Sequence, residues 1–277
     1  NSYLDGQIAN TAYPDLAGHT YSGSLSEQAN CKSYYEQLLE SSIGAGKTVD
    51  EYYAMNAAYL EQFFRGLDGT SSSDQKKYKS YSTDGEPGEI LSKLKNITNE
   101  HFPTAVNAEY TVEYMENGGK YFADAAEYIA PPLDNINKGK FILNKNAVNY
   151  SRDLFTILAN EGYAGHMYQT TYLADQINNG SEDPVRYFTM NSGYTEGFAS
   201  YAEYTYNDSA DLGSKTVAKY YNFGYNAIYA KIDIDVNYYG KSFDDLRSFL
   251  SGYGIRDSAV QDDLYNAVTA NPGSYAI

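Results

Sequence analysis

The sequence predicts a mainly α-helical protein with a small antiparallel β-sheet, and three observations lead there. Apolar residues recur at helical spacing through residues 49–64 and in every long segment after Tyr150. Only the middle of the chain alternates, in β-rich runs at residues 109–115, 126–130 and 140–144. No linker is long enough to force a boundary, so residues 1–277 read as a single domain in which helices cover the sheet.

The elements follow in order. The first thirty residues mix Gly, Ser, Asn and Tyr without periodicity and suggest an irregular entry. Residues 34–40 and 49–64 carry helical spacing, and Thr48 with Glu51 three positions later forms a capping-box signature. The polar, turn-rich stretch 66–74 should end that helix, and a loop over 83–88 precedes a short helix at 89–97. Pro131 and Pro132 close the second strand and make it an edge or terminal one. Further helices are predicted over 151–161, 166–177, 194–206, 215–232, 242–250 and 257–269.

Charge excludes several functions. With 36 acidic against 20 basic side chains, the net charge of −16 repels nucleic-acid phosphates and anionic lipid. No run approaches the ~18 apolar residues of a membrane helix. The single Cys31 allows neither an internal disulfide nor a cysteine metal cluster. The chain starts at Asn1 without a methionine or apolar leader and reads as a mature or excised fragment of a longer chain. Few lysines and many Tyr, Asn, Ser and Thr suit an exported or cell-surface bacterial protein, secreted or lipoprotein. A cytoplasmic protein is compatible with the same composition.

The chemistry concentrates in Asn160-Glu161-Gly162-Tyr163-Ala164-Gly165-His166. Leu154, Phe155, Ile157 and Leu158 form a buried helical face that delivers Asn160 and Glu161 inward. A zinc-peptidase helix sets two histidines four residues apart with a glutamate after the first, and here Ala164 occupies the second place. His166 lies six residues after Asn160, roughly 120° around an unbroken helix. The two converge only where the helix kinks, which Gly162 and Gly165 allow. A glycine-broken helix with a capped, satisfied histidine accounts for the same residues. Downstream, Glu196, Ser200 and Glu203 share one helical face, while Phe198 and Tyr201 point elsewhere. A solvated carboxylate face is the commoner outcome, although Gly197 inside that helix suggests a close approach.

The runs LANEGYAGHMYQTTYL, GYTEGFASYAEY and DIDVNYYGKSFDDLRSFL resemble the bacterial "domain of unknown function 885" family. Its members carry a His-Glu-Gly-x-Pro-Gly-His helix, a Tyr-Thr-Glu-Gly-Trp-Ala helix, and an Asp-x-Gly-x-His/Asn segment ahead of a Gly-Trp. The resemblance covers residues 30–275 and implies a helical metallopeptidase-like fold similar to the Taq-type zinc carboxypeptidases. It implies His166 and Glu196 as metal ligands and Glu161 as general base. Glu203 becomes a supporting residue, Asn237 a substrate or transition-state contact, and Tyr194 a further contact within the second motif. The departures point to a degenerate member: Asn160 replaces the first histidine ligand, Ala164 the proline, Phe198 and Lys241 the tryptophans. An amide oxygen is a poor substitute for imidazole on zinc, and His19 and His101 lack a metal-like context. Any zinc site is therefore expected to be weak or absent.

Three readings follow. The first is a peptidase with a rebuilt metal site, in which Glu161 takes the proton of an activated water and the short strands hold an extended peptide. The second is a non-catalytic relative that binds a peptide or an envelope partner in the retained cleft. The third is a glycoside-directed protein with Glu196 and Glu203 as an acid–base pair. Tyrosines at helical spacing, not clustered, weigh against that one and suit core and half-buried surface.

Overall fold

The computed structural model describes residues 23–80, 85–102, 108–115, 125–132, 135, 138–147, 150–189, 191–206 and 215–276. His19 lies outside them. Nearly every predicted helix is present, usually longer than its pattern: α1 (Cys31–Ile43), α2 (Val49–Asp68), α3 (Ser72–Lys79) and α4 (Pro87–His101) precede the strands. After β1 (Glu109–Tyr114), β2 (Ala126–Ile129) and β3 (Lys138–Leu143) come α5 (Tyr150–Glu161), α6 (His166–Asn178) and α7 (Val185–Phe188). The last elements are α8 (Ser192–Tyr206), α9 (Lys215–Asn237), α10 (Phe243–Gly252) and α11 (Ser258–Ala270). The capping box forms as expected: the Thr48 hydroxyl accepts the Glu51 N–H at 3.2 Å, and the Glu51 carboxylate accepts the Thr48 N–H at 2.8 Å. A mainly α protein results.

The sheet corrects the sequence reading. Its order is β1-β3-β2, with β2 antiparallel to β3 but β1 parallel to it, so the sheet is mixed. The physical reason is burial. On β3, Gly139, Phe141 and Leu143 all face the core, which makes this the central strand, while Glu109, Thr111 and Glu113 of β1 are exposed. Two successive reversals that leave β3 in the middle bring β1 back in β3's direction. Gly139 is bare because the Tyr128 ring fills its space: a Cβ there would sit 2.5 Å from that ring. As Pro131 and Pro132 suggested, β2 ends the sheet.

The described chain divides into two compact units. One comprises Glu36–Lys231, the other the N-terminal segment to Tyr35 with Ile232–Tyr275. The core of the first joins Ile90, Leu91 and Leu94 of α4, Phe141 and Leu143 of β3, and Leu154, Phe155 and Leu158 of α5 with Met167 and Tyr168 of α6. In the second unit, Ile232, Ile234 and Val236 are buried, as are Leu246, Leu250, Leu264 and Val268. Among the described residues no helix is long and apolar enough to cross a membrane.

Candidate functional site

The site is built where α5 breaks. Leu158 and Ala159 anchor the last turn in the core at 0% exposure, leaving Asn160 and Glu161 half-buried at its end. The Gly162 carbonyl then accepts both the Gly165 N–H at 3.1 Å and the Tyr168 N–H at 3.3 Å, and the chain restarts as α6 at His166. The turn is tight enough to require both glycines. A Cβ at Gly165 would fall 1.6 Å from the Asn160 carbonyl oxygen, and one at Gly162 2.4 Å from that of Leu158. The break anticipated at these glycines is therefore present.

His166 is held from two sides. The Gln169 side chain donates its Nε2–H to the Thr195 carbonyl at 3.1 Å, which leaves its oxygen to accept from His166 Nδ1 at 3.2 Å. With that proton committed, Nε2 faces the Glu196 carboxylate at 3.5 Å. Burial opposes an imidazolium here, but the hydrogen bond to Glu196 and the charges of Glu161 and Glu196 together raise the His166 pKa above its ordinary value. Gln169 was missed in the sequence. Its one signal was a polar residue one turn after His166, at a buried position of a half-buried face.

The two residues at the end of α5 look in different directions. Glu161 accepts the Tyr128 backbone N–H at 2.9 Å. In the β2–β3 pairing Tyr128 directs that N–H away from β3, so Glu161 caps the free edge of β2. Asn160 Nδ2 makes a long 3.4 Å contact with Glu203 on α8. Asn160, Glu161, His166, Glu196 and Glu203 thus gather between α5, the start of α6, and α8. Asn237 is placed in the other unit, where its amide is fully used. Its Nδ2 donates to Asp233 at 2.8 Å and to the Val268 carbonyl at 2.9 Å, while its oxygen accepts the Leu25 N–H at 3.0 Å.

That neighbourhood explains the third motif. Asp233, fully buried, also accepts the Gly273 N–H at 3.1 Å and the Tyr275 N–H at 3.1 Å, so it fastens the Asn-Pro-Gly-Ser-Tyr tail to α9. Desolvation raises its pKa, against the hydrogen bonds from Gly273, Asn237 and Tyr275, which lower it. The buried Tyr35 hydroxyl faces the same carboxylate without a hydrogen bond of good geometry, and its own pKa is driven up by burial and by that charge. Lys241 pairs with Asp235 at 2.7 Å.

The other face of α8 corrects two expectations. Phe198 and Tyr201 do point away from Glu196 and Glu203, but into a cavity of about 1180 Å³ lined also by Phe102, Tyr168, Tyr172, Tyr194 and Tyr206. These tyrosines are clustered because of their helical spacing: residues four and seven apart share a face. Gly197, for its part, marks no close approach, since a Cβ there meets nothing within 4 Å.

The donor set does not fit a zinc peptidase centre. It offers one imidazole nitrogen, the carboxylate of Glu196 at 59% exposure and the Asn160 amide, a weaker donor for zinc than imidazole. Among the described residues, no group of three or more His, Cys, Asp and Glu side chains is arranged to hold a metal ion.

Comparison with known proteins supplies the context. The chain is similar in fold to a candidate lipoprotein from Colwellia psychrerythraea, with 15% identity and a TM-score of 0.72 over 99% of this chain and 53% of that one. A candidate lipoprotein of unknown function from Shewanella oneidensis aligns with 15% identity and a TM-score of 0.62, over 99% of this chain and 54% of that one. The chain therefore spans about half the length of these structures. No curated protein matches it. The pattern of the bacterial family of unknown function DUF885 matches residues 25–230, and the chain belongs to that family.

Proposed function

We propose that this chain is an exported, cell-surface metallopeptidase-like protein with a degenerate metal site, whose retained cleft binds an extended peptide and hydrolyses it weakly or not at all. The observation that carries this reading is the capped edge of β2. An N–H directed away from the sheet already takes an acceptor from the cleft, Glu161, and that is the bond a peptide carbonyl makes when it adds to a sheet edge. The residues of the family's metal positions meanwhile satisfy one another: His166 faces Glu196, and Asn160 reaches Glu203. An imidazole–carboxylate pair with a neutral amide beside it is a poor zinc cage but a serviceable polar floor for a peptide backbone. Support for export comes from the composition and from the lipoprotein descriptions of the two fold relatives.

The test measures zinc uptake by elemental analysis and turnover of a peptide library, in the natural protein and in Asn160→His. The expected result is little zinc and little turnover in the natural protein, with both rising in the variant. Stoichiometric zinc in the natural protein, with turnover abolished by Glu161→Gln, would overturn the reading in favour of an active peptidase.

A further inference from the structure

We infer that the aromatic cavity beside α8 receives an aromatic side chain of the bound peptide, an inference that rests on the peptide-binding reading above. At about 1180 Å³ the space is as large as a complete small-molecule site. Phe102 and Tyr168 stand 4.7 Å apart, Tyr168 and Tyr172 stack at 5.8 Å with 11° between planes, and Phe102 meets Phe198 edge-on at 5.9 Å. Rings so placed present both faces and edges, the two geometries in which another ring is held. Tyr194 and Tyr201, also lining the cavity, remain 63% and 61% exposed, an apolar outlay that marks binding surfaces.

Two contacts join the cavity to the cleft. Gln169 lines the cavity and holds His166 Nδ1. The Tyr187 hydroxyl donates to the Pro131 carbonyl at 3.3 Å, which ties α7, whose Arg186 lines the cavity, to the residues just past β2. Pro131 is three residues beyond Tyr128, about 10 Å along an extended strand. A peptide that takes the Tyr128 N–H over from Glu161 runs along the β2 edge towards Pro131 and α7, the helix that borders the cavity, and the edge is what selects a peptide over a free aromatic molecule.

The chain contains no tryptophan, so the emission of a tryptophan-bearing peptide reports on the peptide alone. The probe is acetyl-Ala-Ala-Trp-Ala-Ala-amide, titrated with protein and compared in competition with its all-alanine counterpart. The expected result is a blue shift on binding and at least about tenfold tighter binding than the alanine peptide. Phe198→Asp should abolish both, and the more exposed Tyr201→Asp serves in its place should that variant fail to fold by circular dichroism. Equal binding of the two peptides without a blue shift overturns the inference and leaves the cleft reading standing. If neither peptide binds, the cleft reading itself fails and the inference with it.

Discussion

The Glu161 carboxylate accepts the Tyr128 backbone N–H at 2.9 Å, which fastens the end of α5 to the edge of β2. A hydrogen bond to a charged acceptor is worth about 1.5–3 kcal/mol where water is partly excluded. Glu161→Ala should therefore destabilise the protein by about 1–2 kcal/mol in denaturant unfolding and speed hydrogen exchange at the Tyr128 amide. Glu161→Gln, which keeps an acceptor oxygen, should cost less than half as much. Unchanged exchange at Tyr128 in the alanine variant would show that the edge is not held by this bond.

Two glycines of the site motifs should respond in opposite directions. Gly165→Ala places a methyl 1.6 Å from the Asn160 carbonyl oxygen, a backbone atom that cannot step aside, and should cost more than about 3 kcal/mol. Gly197→Ala meets open space inside α8 and should stabilise by up to about 1 kcal/mol through helix propensity. Thermal midpoints of the two variants decide the matter, and a destabilised Gly197→Ala would revive the close approach that the sequence suggested.

Buried Asp233 predicts an acid-side gain. Its pKa in the folded protein is raised by desolvation above the ordinary 3.8, so the folded state holds this proton more tightly than the unfolded chain does. Lowering the pH through the raised value therefore adds stability from this group, and the gain is complete below 3.8. Asp233→Asn removes the titration. The midpoint difference between natural protein and variant should shift in favour of the natural protein as pH falls from about 7 towards about 4. A difference independent of pH would mean that the carboxylate is not desolvated.

The His166–Gln169–Thr195 relay predicts that ring orientation depends on Gln169. Gln169→Leu keeps the volume but leaves His166 Nδ1 and the Thr195 carbonyl without this partner, at an expected cost of about 1–3 kcal/mol. Histidine ring resonances in nitrogen-detected NMR should show a changed tautomer balance at His166 and no change at His101. Identical spectra would remove Gln169 from the site.

Local periodicity carried the helices because it is a local signal, and the capping box at Thr48 was legible for the same reason. The sense of β1 was not, since strand order depends on which strand the core selects as central, and no window of sequence encodes that. Helix α3 escaped because Ser72–Lys79 holds one apolar residue, Tyr78, although Ser71 with Asp74 three positions on was a readable cap. Within the site, the glycine break was legible from spacing, whereas Glu161, His166 and Glu196 were brought together only by the family resemblance. Gln169 was not legible, because its role comes from a carbonyl on another helix. Asn237 looked like a cleft residue by resemblance, whereas its amide is used up among Asp233, Val268 and Leu25.

The clamp around Asp233 and Asn237 also sets an order of assembly. Asn237 takes the Leu25 N–H across 212 residues of sequence, while Asp233 takes the N–H groups of Gly273 and Tyr275 from the far end of the chain. The larger unit, by contrast, is almost wholly internal, from Glu36 to Lys231. During synthesis its segments are complete before the tail emerges, and the early residues must wait for their partners. The smaller unit is thus closed across the longest separation in sequence, at the entropic cost of that loop, and loss of Gly273–Tyr275 would take two backbone donors from Asp233 while Asn237 kept the Leu25 N–H.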